Sequence, residues 1–429
     1  MQLNKLKQLW QAKDLRRDVI FILALLLVFR VLAHIPVPGV DLAALKNYLA
    51  GNQILGLLNI FTGGGLRNFS IVMLGLGPYI TSSIIFQLLT MVVPKIEELS
   101  KEGERGRQKI NQWTRYATVP LAIIQAYATI VFLSKSGGGS VNILQQQNSL
   151  QLVVAILSVT AGTIFLMWLG ELISERKLGN GISILIFAGI VAELPQSVIQ
   201  AWTDLTTNPG AITQYIFFVL IALITIAAVI FITEGQRQIP ISYARQVVGS
   251  RIYGGSKTML PLRVNPSGMI PIIFAIAVIL FPTVLAQFLV GAKSAWLASA
   301  AQFTVELFKN QAFYGIVYFL LVVGFTYFYT AVIFQPTQIA ENVQKQGGFI
   351  PGIRPGRETA EYLNHTMNRI VLAGALFLGI IALLPLMMQK AGGFSLVIGG
   401  ASMIIVVGVV IEIVKQIDSQ LIMRHYEGI

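Results

Sequence analysis

The chain has 429 residues, 55% of them hydrophobic and only 12% charged, with no cysteine and a formal net charge of +12. A soluble chain of this size needs far more surface charge, so the composition places it among polytopic membrane proteins. The lack of cysteine excludes a disulfide framework, an iron–sulfur cluster and a thiolate zinc site, and the three histidines (His34, His365, His425) are too scattered for a histidine metal centre.

A hydrocarbon core about 30 Å thick takes roughly 20 apolar residues per helix. Runs of that kind occupy 19–35, 71–93, 116–134, 150–172, 182–202, 211–233, 268–290, 313–334, 370–388 and 394–414. Ten is even, so both termini are expected on one side. Lys and Arg number 24 in the termini and the loops on that side and 6 in the alternate loops, with Arg30 inside the first span. That asymmetry predicts two cytoplasmic termini. The resulting basic face suits anionic lipid head groups and acidic or nucleic-acid-bearing partners. The first span follows Lys5, Lys7, Lys13, Arg16 and Arg17 with no small-residue cleavage site after it, and is expected to be a retained span, not a signal peptide.

The first span ends FRVLAHIPVPGVD, where Arg30 is expected to snorkel or pair near the outer interface and Pro36 and Pro38 stop the helix. The stretch Leu57–Gln87 follows and organises the rest. A short apolar turn (Leu57, Leu58, Ile60, Phe61) meets three glycines (Gly63, Gly64, Gly65) and then Arg67, Asn68 and Ser70. Two readings fit it: an external loop with one amphipathic turn, or a half-inserted helix beside an aqueous path, because non-helical backbone at membrane depth must be buried in protein or line water. In the second span Gly75, Gly77 and Pro78 loosen or bend the helix, Leu76, Ile80 and Ile84 fall at helical spacing, and Thr81, Ser82, Ser83 and Gln87 form a polar side that must avoid lipid.

The loop after Pro94 is short and densely charged, and reads as a solvated turn. Gly179, Asn180 and Gly181 predict a tight turn between spans four and five. Span five opens with Ile182 and Ile186 one turn apart and carries Glu193 and Pro195 near its far end, where a carboxylate reaches water. In loop 234–267, Ile239, Ile241 and Tyr243 alternate with polar residues, as do Leu260, Leu262 and Val264, which predicts a β-hairpin. Gly255-Ser256-Lys257-Thr258 resembles part of a phosphate loop but lacks the glycine directly before the lysine, so no nucleotide hydrolysis is expected. In loop 335–369, Pro351 and Pro355 break any helix and Phe349, Ile350 and Ile353 interleave with glycine, which predicts an exposed apolar-and-basic docking tip.

The carboxylates in or near spans (Asp18, Glu171, Glu193, Glu234, Glu412) sit at span ends, whereas ion-coupled transport needs ionisable groups near the midplane. No buried Ser/His pair and no pair of intramembrane aspartates marks a protease. A polytopic small-solute secondary transporter is the alternative carried forward, a membrane enzyme stands behind it, and an insertase of another type would show a polar groove in place of aliphatic residues at kinked helices.

The motifs IPVPGVD (35–41), LLNIFTGGGL (57–66), GPYITSSIIFQLL (77–89), KEGERGRQKINQWTRY (101–116), MWLGELISERKLGNGISILIFAGIVAELP (167–195), EGQRQIPISYAR (234–245), LPLRVNPSGMIPIIFA (260–275) and GGFIPGIRPGRETAEYL (347–363) stand in order along the chain. In these the chain resembles the SecY family, channel subunits of the bacterial protein translocon, over nearly its whole length. The resemblance implies an all-α membrane protein with ten transmembrane helices in two pseudo-symmetric inverted five-helix halves, 1–202 and 203–429, around an hourglass pore. It further implies a short plug helix and a cytoplasmic β-hairpin loop. By resemblance the pore ring falls on Leu76, Ile80, Ile182, Ile186, Ile273 and Ile405, an aliphatic seal that grips an extended chain without binding it.

The resemblance also makes the plug Leu57–Asn68 and places the lateral gate between Thr81 and Gln87 of span two and Phe281 of span seven, with Asn180 in its polar network. Arg354, Arg357, Arg245 and Arg251 would dock the SecA motor ATPase and the ribosome. Where the family often has a glycine and two arginines, this chain has Gly249-Ser250-Arg251, which removes one basic contact. The implied partners are SecE, SecG, SecA, the ribosome, SecDF/YidC-type accessory proteins and preprotein signal peptides, in the bacterial plasma membrane, with no cofactor and no enzymatic activity of its own.

Overall fold

The computed structural model describes residues 12–37, 45, 59, 62–135, 149–207, 210, 212–243, 245–248, 251–254, 257–290, 294–392 and 400–427. Each of the ten expected spans carries a helix: α1 (Lys13–Leu32), α2 (Gly77–Val92), α4 (Glu104–Lys135), α5 (Ser149–Glu175), α6 (Gly181–Thr207), α7 (Ile212–Glu234), α8 (Ile270–Leu289), α10 (Gln311–Ile333), α12 (Arg357–Gly392) and α13 (Gly400–Glu427). Three shorter helices were not expected: α3 (Pro94–Lys101), α9 (Ala295–Lys309) and α11 (Pro336–Lys345).

Among the described residues, five helical segments are long and apolar enough to cross a membrane: Leu150–Glu175, Gly181–Thr207, Ile212–Glu234, Gln311–Lys345 and Arg357–Leu384. The pair α2 and α3 meets the same test jointly but bends by 100° at Val93. Pro94 causes the bend, since it supplies no N–H and forces its predecessor into an extended conformation. The α7 segment has a mean hydropathy of 3.1 and is the least buried of the five, as a lipid-facing helix must be.

Several helices outrun their apolar runs. The charged loop after Pro94 is no turn: it is α3 and the first turns of α4, and Gly106 sits hard against the Leu99 carbonyl where the two meet. The second span also differs from expectation. Residues 62–76 are a stack of turns, and α2 starts only at Gly77, because Gly75 takes φ +55° and Pro78 suits the first helical turn.

The chain divides into two compact units. The first comprises Met1–Phe217, Ile276–Gln311 and Phe394–Ile429. Its apolar core gathers Val37, Leu45, Leu66, Phe69, Met73, Leu74, Ala126, Ile130, Leu133, Ala155 and Val159, so the turn stack packs against α4 and α5. Phe69 is fully buried at φ +44°, an uncommon conformation for a side-chain-bearing residue that close packing imposes.

The second unit comprises Phe218–Ala275 and Ala312–Gly393. The predicted hairpin is present as β1 (Gln236–Tyr243) and β4 (Lys257–Arg263), antiparallel with Ile239 opposite Leu260. A second small hairpin, β2 (Arg245–Val248) with β3 (Arg251–Gly254), extends it. The tip of loop 335–369 supplies β5 (Gly348–Phe349), which pairs with Ser242 and Tyr243 on the other edge of β1. Beneath this sheet Ile239, Leu262, Ile350, Leu363, Met367 and Val371 form one core. The expected apolar-and-basic tip is corrected in part: Ile350 is buried and Ile353 packs against the same core, whereas Phe349 stays exposed beside the charged residues of the tip.

Candidate functional site

The non-helical turn after Phe61 is held by its own polar atoms. Thr62 Oγ1 donates to the Asn59 carbonyl at 3.0 Å and accepts from the Leu66 N–H at 3.2 Å. Asn59 Oδ1 accepts from the Arg67 N–H at 2.7 Å, and the Gly64 N–H donates to the Asn59 carbonyl at 2.9 Å. Gly63 and Gly64 take φ +63° and +82°, which only glycine adopts cheaply.

Both glycines also sit where no side chain fits. A Cβ on Gly63 would lie 2.9 Å from the Gly189 Cα of α6 and 2.9 Å from Phe29 Cζ of α1. One on Gly64 would collide with Glu193 Oε1. The glycine turn is therefore seated against α1 and α6.

Arg30 closes the seat. Its Nη1 donates to the Gly63 carbonyl at 2.6 Å and its Nη2 to the Ala192 carbonyl at 3.4 Å, so the arginine expected to snorkel or pair bonds to backbone carbonyls. Asn68 Nδ2 donates to the Ala33 carbonyl at 3.1 Å. The segment after α1 completes the attachment: the Val37 N–H donates to the Phe69 carbonyl at 2.8 Å and the Ile71 N–H to the Ile35 carbonyl at 3.1 Å, an isolated antiparallel bridge between Pro36 and Ser70. Of the expected plug residues, Leu57, Leu58, Ile60 and Phe61 lie outside the described residues; Gly63, Gly64, Gly65, Arg67 and Asn68 are in the turn just described.

Among the aliphatic residues, Leu76 is the N-cap of α2 and buried, and Ile80 lies one turn on, its N–H bonded to the Leu76 carbonyl at 2.9 Å. Ile182 and Ile186 open α6; Ile182 packs near Gly170 of α5, and Ile186 is buried. Ile405 is fully buried on α13, a helix in contact with α6. Ile273 is buried in the first turn of α8 and belongs to the second unit.

The polar residues of α2 resolve individually. Ser82 Oγ donates to the Thr114 carbonyl of α4 at 2.8 Å, whereas Thr81 Oγ1 donates to the Gly77 carbonyl of its own helix at 3.0 Å. Gln87 Nε2 donates to Ser83 Oγ at 3.2 Å, while its buried Oε1 has no hydrogen-bond partner among the described residues. Asn180 is the N-cap of α6: its Oδ1 accepts from the N–H groups of Ile182 at 3.0 Å and Ser183 at 3.3 Å. Its own N–H donates to the Glu412 carboxylate of α13. Phe281 lies within α8, and its side chain lies outside the described residues.

Arg354 and Arg357 are 87% and 91% exposed at the side chain, near Glu358 (4.0 Å) and Glu361 (2.9 Å) respectively, each one helical turn along. Arg245 and Arg251 begin β2 and β3, and their side chains lie outside the described residues. Two features escaped the sequence. The β5 strand is too short for alternation to reveal it, and Glu193 carries no local sign that a glycine more than a hundred residues away rests against it.

A family model described as SecY matches residues 70–414. The protein translocase subunit SecY of Streptomyces galbus is 44% identical over 432 residues, covering 98% of this chain and 98% of that one. Its namesake in Mycobacterium bovis is 42% identical over 433 residues, covering 97% of each chain. That of Thermotoga maritima is 42% identical over 434 residues, covering 98% of this chain and 96% of the other. Among solved structures, a protein conducting channel matches with a TM-score of 0.65 at 16% identity, over 92% of this chain and 90% of that one. A SecY structure concerned with its plug domain, which stabilises the closed state and maintains a membrane seal, matches at TM-score 0.61 and 17% identity over 92% and 90%. Sec61 in a canine ribosome–channel complex from the endoplasmic reticulum matches at 0.61 and 16% over the same shares. At such identities the likeness establishes the fold.

Proposed function

The chain belongs to the SecY family, and we propose that it is the protein-conducting channel subunit of a protein translocase, passing unfolded preproteins across the plasma membrane and releasing apolar segments sideways into lipid. The family match across 70–414 carries this reading. The seated glycine turn supports it, since a polar backbone segment held among helices is tolerated where it fills or lines an aqueous path.

Within that reading Leu57–Asn68 is the plug. Leu76, Ile80, Ile182, Ile186, Ile273 and Ile405 form the constricting ring, and Thr81, Gln87, Asn180 and Phe281 border the lateral gate. The two halves 1–202 and 203–429 are the inverted repeats. The termini, the sheet and the exposed Arg354 and Arg357 face the cytoplasm, where Arg245 and Arg251 join them in docking SecA or the ribosome; SecE and SecG complete the channel in the bacterial plasma membrane. SecDF/YidC-type proteins and anionic lipids are accessory partners. The chain conducts and does not catalyse; the driving energy comes from SecA or from ribosomal synthesis.

Single-channel conductance of the protein with its partner subunits, before and after deletion of 57–68, tests the proposal. A closed parent and an intermittently ion-leaky deletion are expected. Equal silence of both removes the plug, and a saturable current specific to one small ion replaces the channel reading with a secondary transporter.

A further inference from the structure

We infer that Arg30 and Glu193 form a two-position latch: the seated glycine turn engages each of them, and they pair with each other when it withdraws. The inference rests on the reading of 57–68 as a plug. A Cβ on Gly64 would collide with Glu193 Oε1 and stand 3.8 Å from Arg30 Nη1, so the carboxylate and the guanidinium both border the open face of this glycine. Among the described residues no ion pair joins the two. The guanidinium is engaged by the Gly63 carbonyl at 2.6 Å and the Ala192 carbonyl at 3.4 Å.

Ala192 directly precedes Glu193, so Arg30 is already anchored on α6 beside the carboxylate it would take. Withdrawal of the turn removes the Gly63 carbonyl, the shorter of the two bonds, and takes Gly64 away from the carboxylate it lies against. A half-buried carboxylate and a guanidinium left beside each other attract more strongly than in water. The pair thus returns to the withdrawn state part of what unseating loses, and lowers the net cost of opening. Of the neighbouring charged or titratable groups among the described residues, His34 Nδ1 lies 2.8 Å from the Arg30 carbonyl, and Arg67 is in the turn itself and leaves with it.

The chain has no cysteine, so Thr62→Cys provides a single reporter at a position 2% exposed in the seated turn. The full chain with its partner subunits, in membranes, is labelled with a membrane-impermeant maleimide while a synthetic signal peptide opens the channel. In this background Glu193→Gln is expected to slow labelling about fivefold, the upper range for a partly exposed ion pair. The same change is expected to have no effect once Arg30→Gln is present. Arg30→Lys keeps the charge and serves as a second background, in which Glu193→Gln should still slow labelling.

An unchanged or faster rate in Glu193→Gln overturns the latch, as does an equal effect with and without Arg30. A parent that the peptide never renders reactive, together with unchanged conductance after deletion of 57–68, overturns the plug reading and the latch with it. A failed latch in a peptide-responsive parent leaves the plug standing.

Discussion

The glycine turn of the first unit and the small sheet of the second are both non-helical, yet hydrogen bonds and apolar burial hold them in different proportions. The turn contributes backbone carbonyls and glycines, Arg30 and Asn68 donate the hydrogen bonds that attach it, Asn59 and Thr62 bond within it, and Leu66 adds one apolar side chain to the core. The sheet contributes Ile239, Leu262 and Ile350 to a core that α12 completes with Leu363, Met367 and Val371. Net hydrogen-bond contributions are about 1 kcal/mol each, or about 1.5–3 for a charged donor, and water replaces them when a segment leaves. A buried aliphatic core has no such replacement, because exposing each large side chain costs about 1.5–3 kcal/mol. Release of the turn uncovers one such side chain, Leu66, whereas loss of the sheet would uncover several, so the turn is the more easily released of the two.

The largest expected break in that contrast is in the sheet. Leu363→Ala, at a fully buried position, should cost about 2–5 kcal/mol. Limited proteolysis of the 234–267 and 335–369 loops should report it, with conductance of the closed channel unchanged. Next comes Gly64→Val, which adds a left-handed strain to a collision with Glu193 and should unseat the turn. The closed channel should become leaky to ions while thermal stability of the whole chain falls only slightly. A stable, sealed Gly64→Val protein would erase the distinction drawn here.

Arg30→Gln removes a charged donor from two carbonyls and should lower the seated population by about tenfold, read as Thr62→Cys labelling without peptide. Asn180→Ala deletes the N-cap of α6 and should cost about 1 kcal/mol, visible as a lower unfolding temperature. The smallest structural effect belongs to Arg357→Ala: with a side chain 91% exposed and its single ion pair within one helix turn, stability should not change measurably. Its effect should appear only in binding of SecA or ribosomes to membranes that hold the full chain.

Much of this was legible in the sequence. Ten apolar runs each gave a helix, since 20 apolar residues leave no alternative for satisfying their backbone in lipid. The alternation of Ile239 and Ile241 against Leu260 and Leu262 announced the hairpin and its buried face. The Gly-Asn-Gly cluster at 179–181 announced the α5–α6 turn, although its cap was not foreseen: Asn180 caps α6, a local duty alongside the gate role proposed for it. The second span was read as helical too early, because hydropathy does not distinguish a buried stack of turns from a membrane helix, and Leu66, Phe69 and Met73 are as apolar as either requires.

What the sequence determined by itself is whatever depends on neighbours along the chain: helix length, strand alternation, proline bends and the left-handed glycines. What only the tertiary structure decided is whatever depends on approach between distant segments. The two-residue β5 completes a sheet begun a hundred residues earlier. Ile350 turns inward from a tip that looked exposed, and Gly64 comes to rest beside Arg30 and Glu193. Such contacts leave no periodic trace, because each partner is a single residue whose meaning is set by what the fold brings beside it.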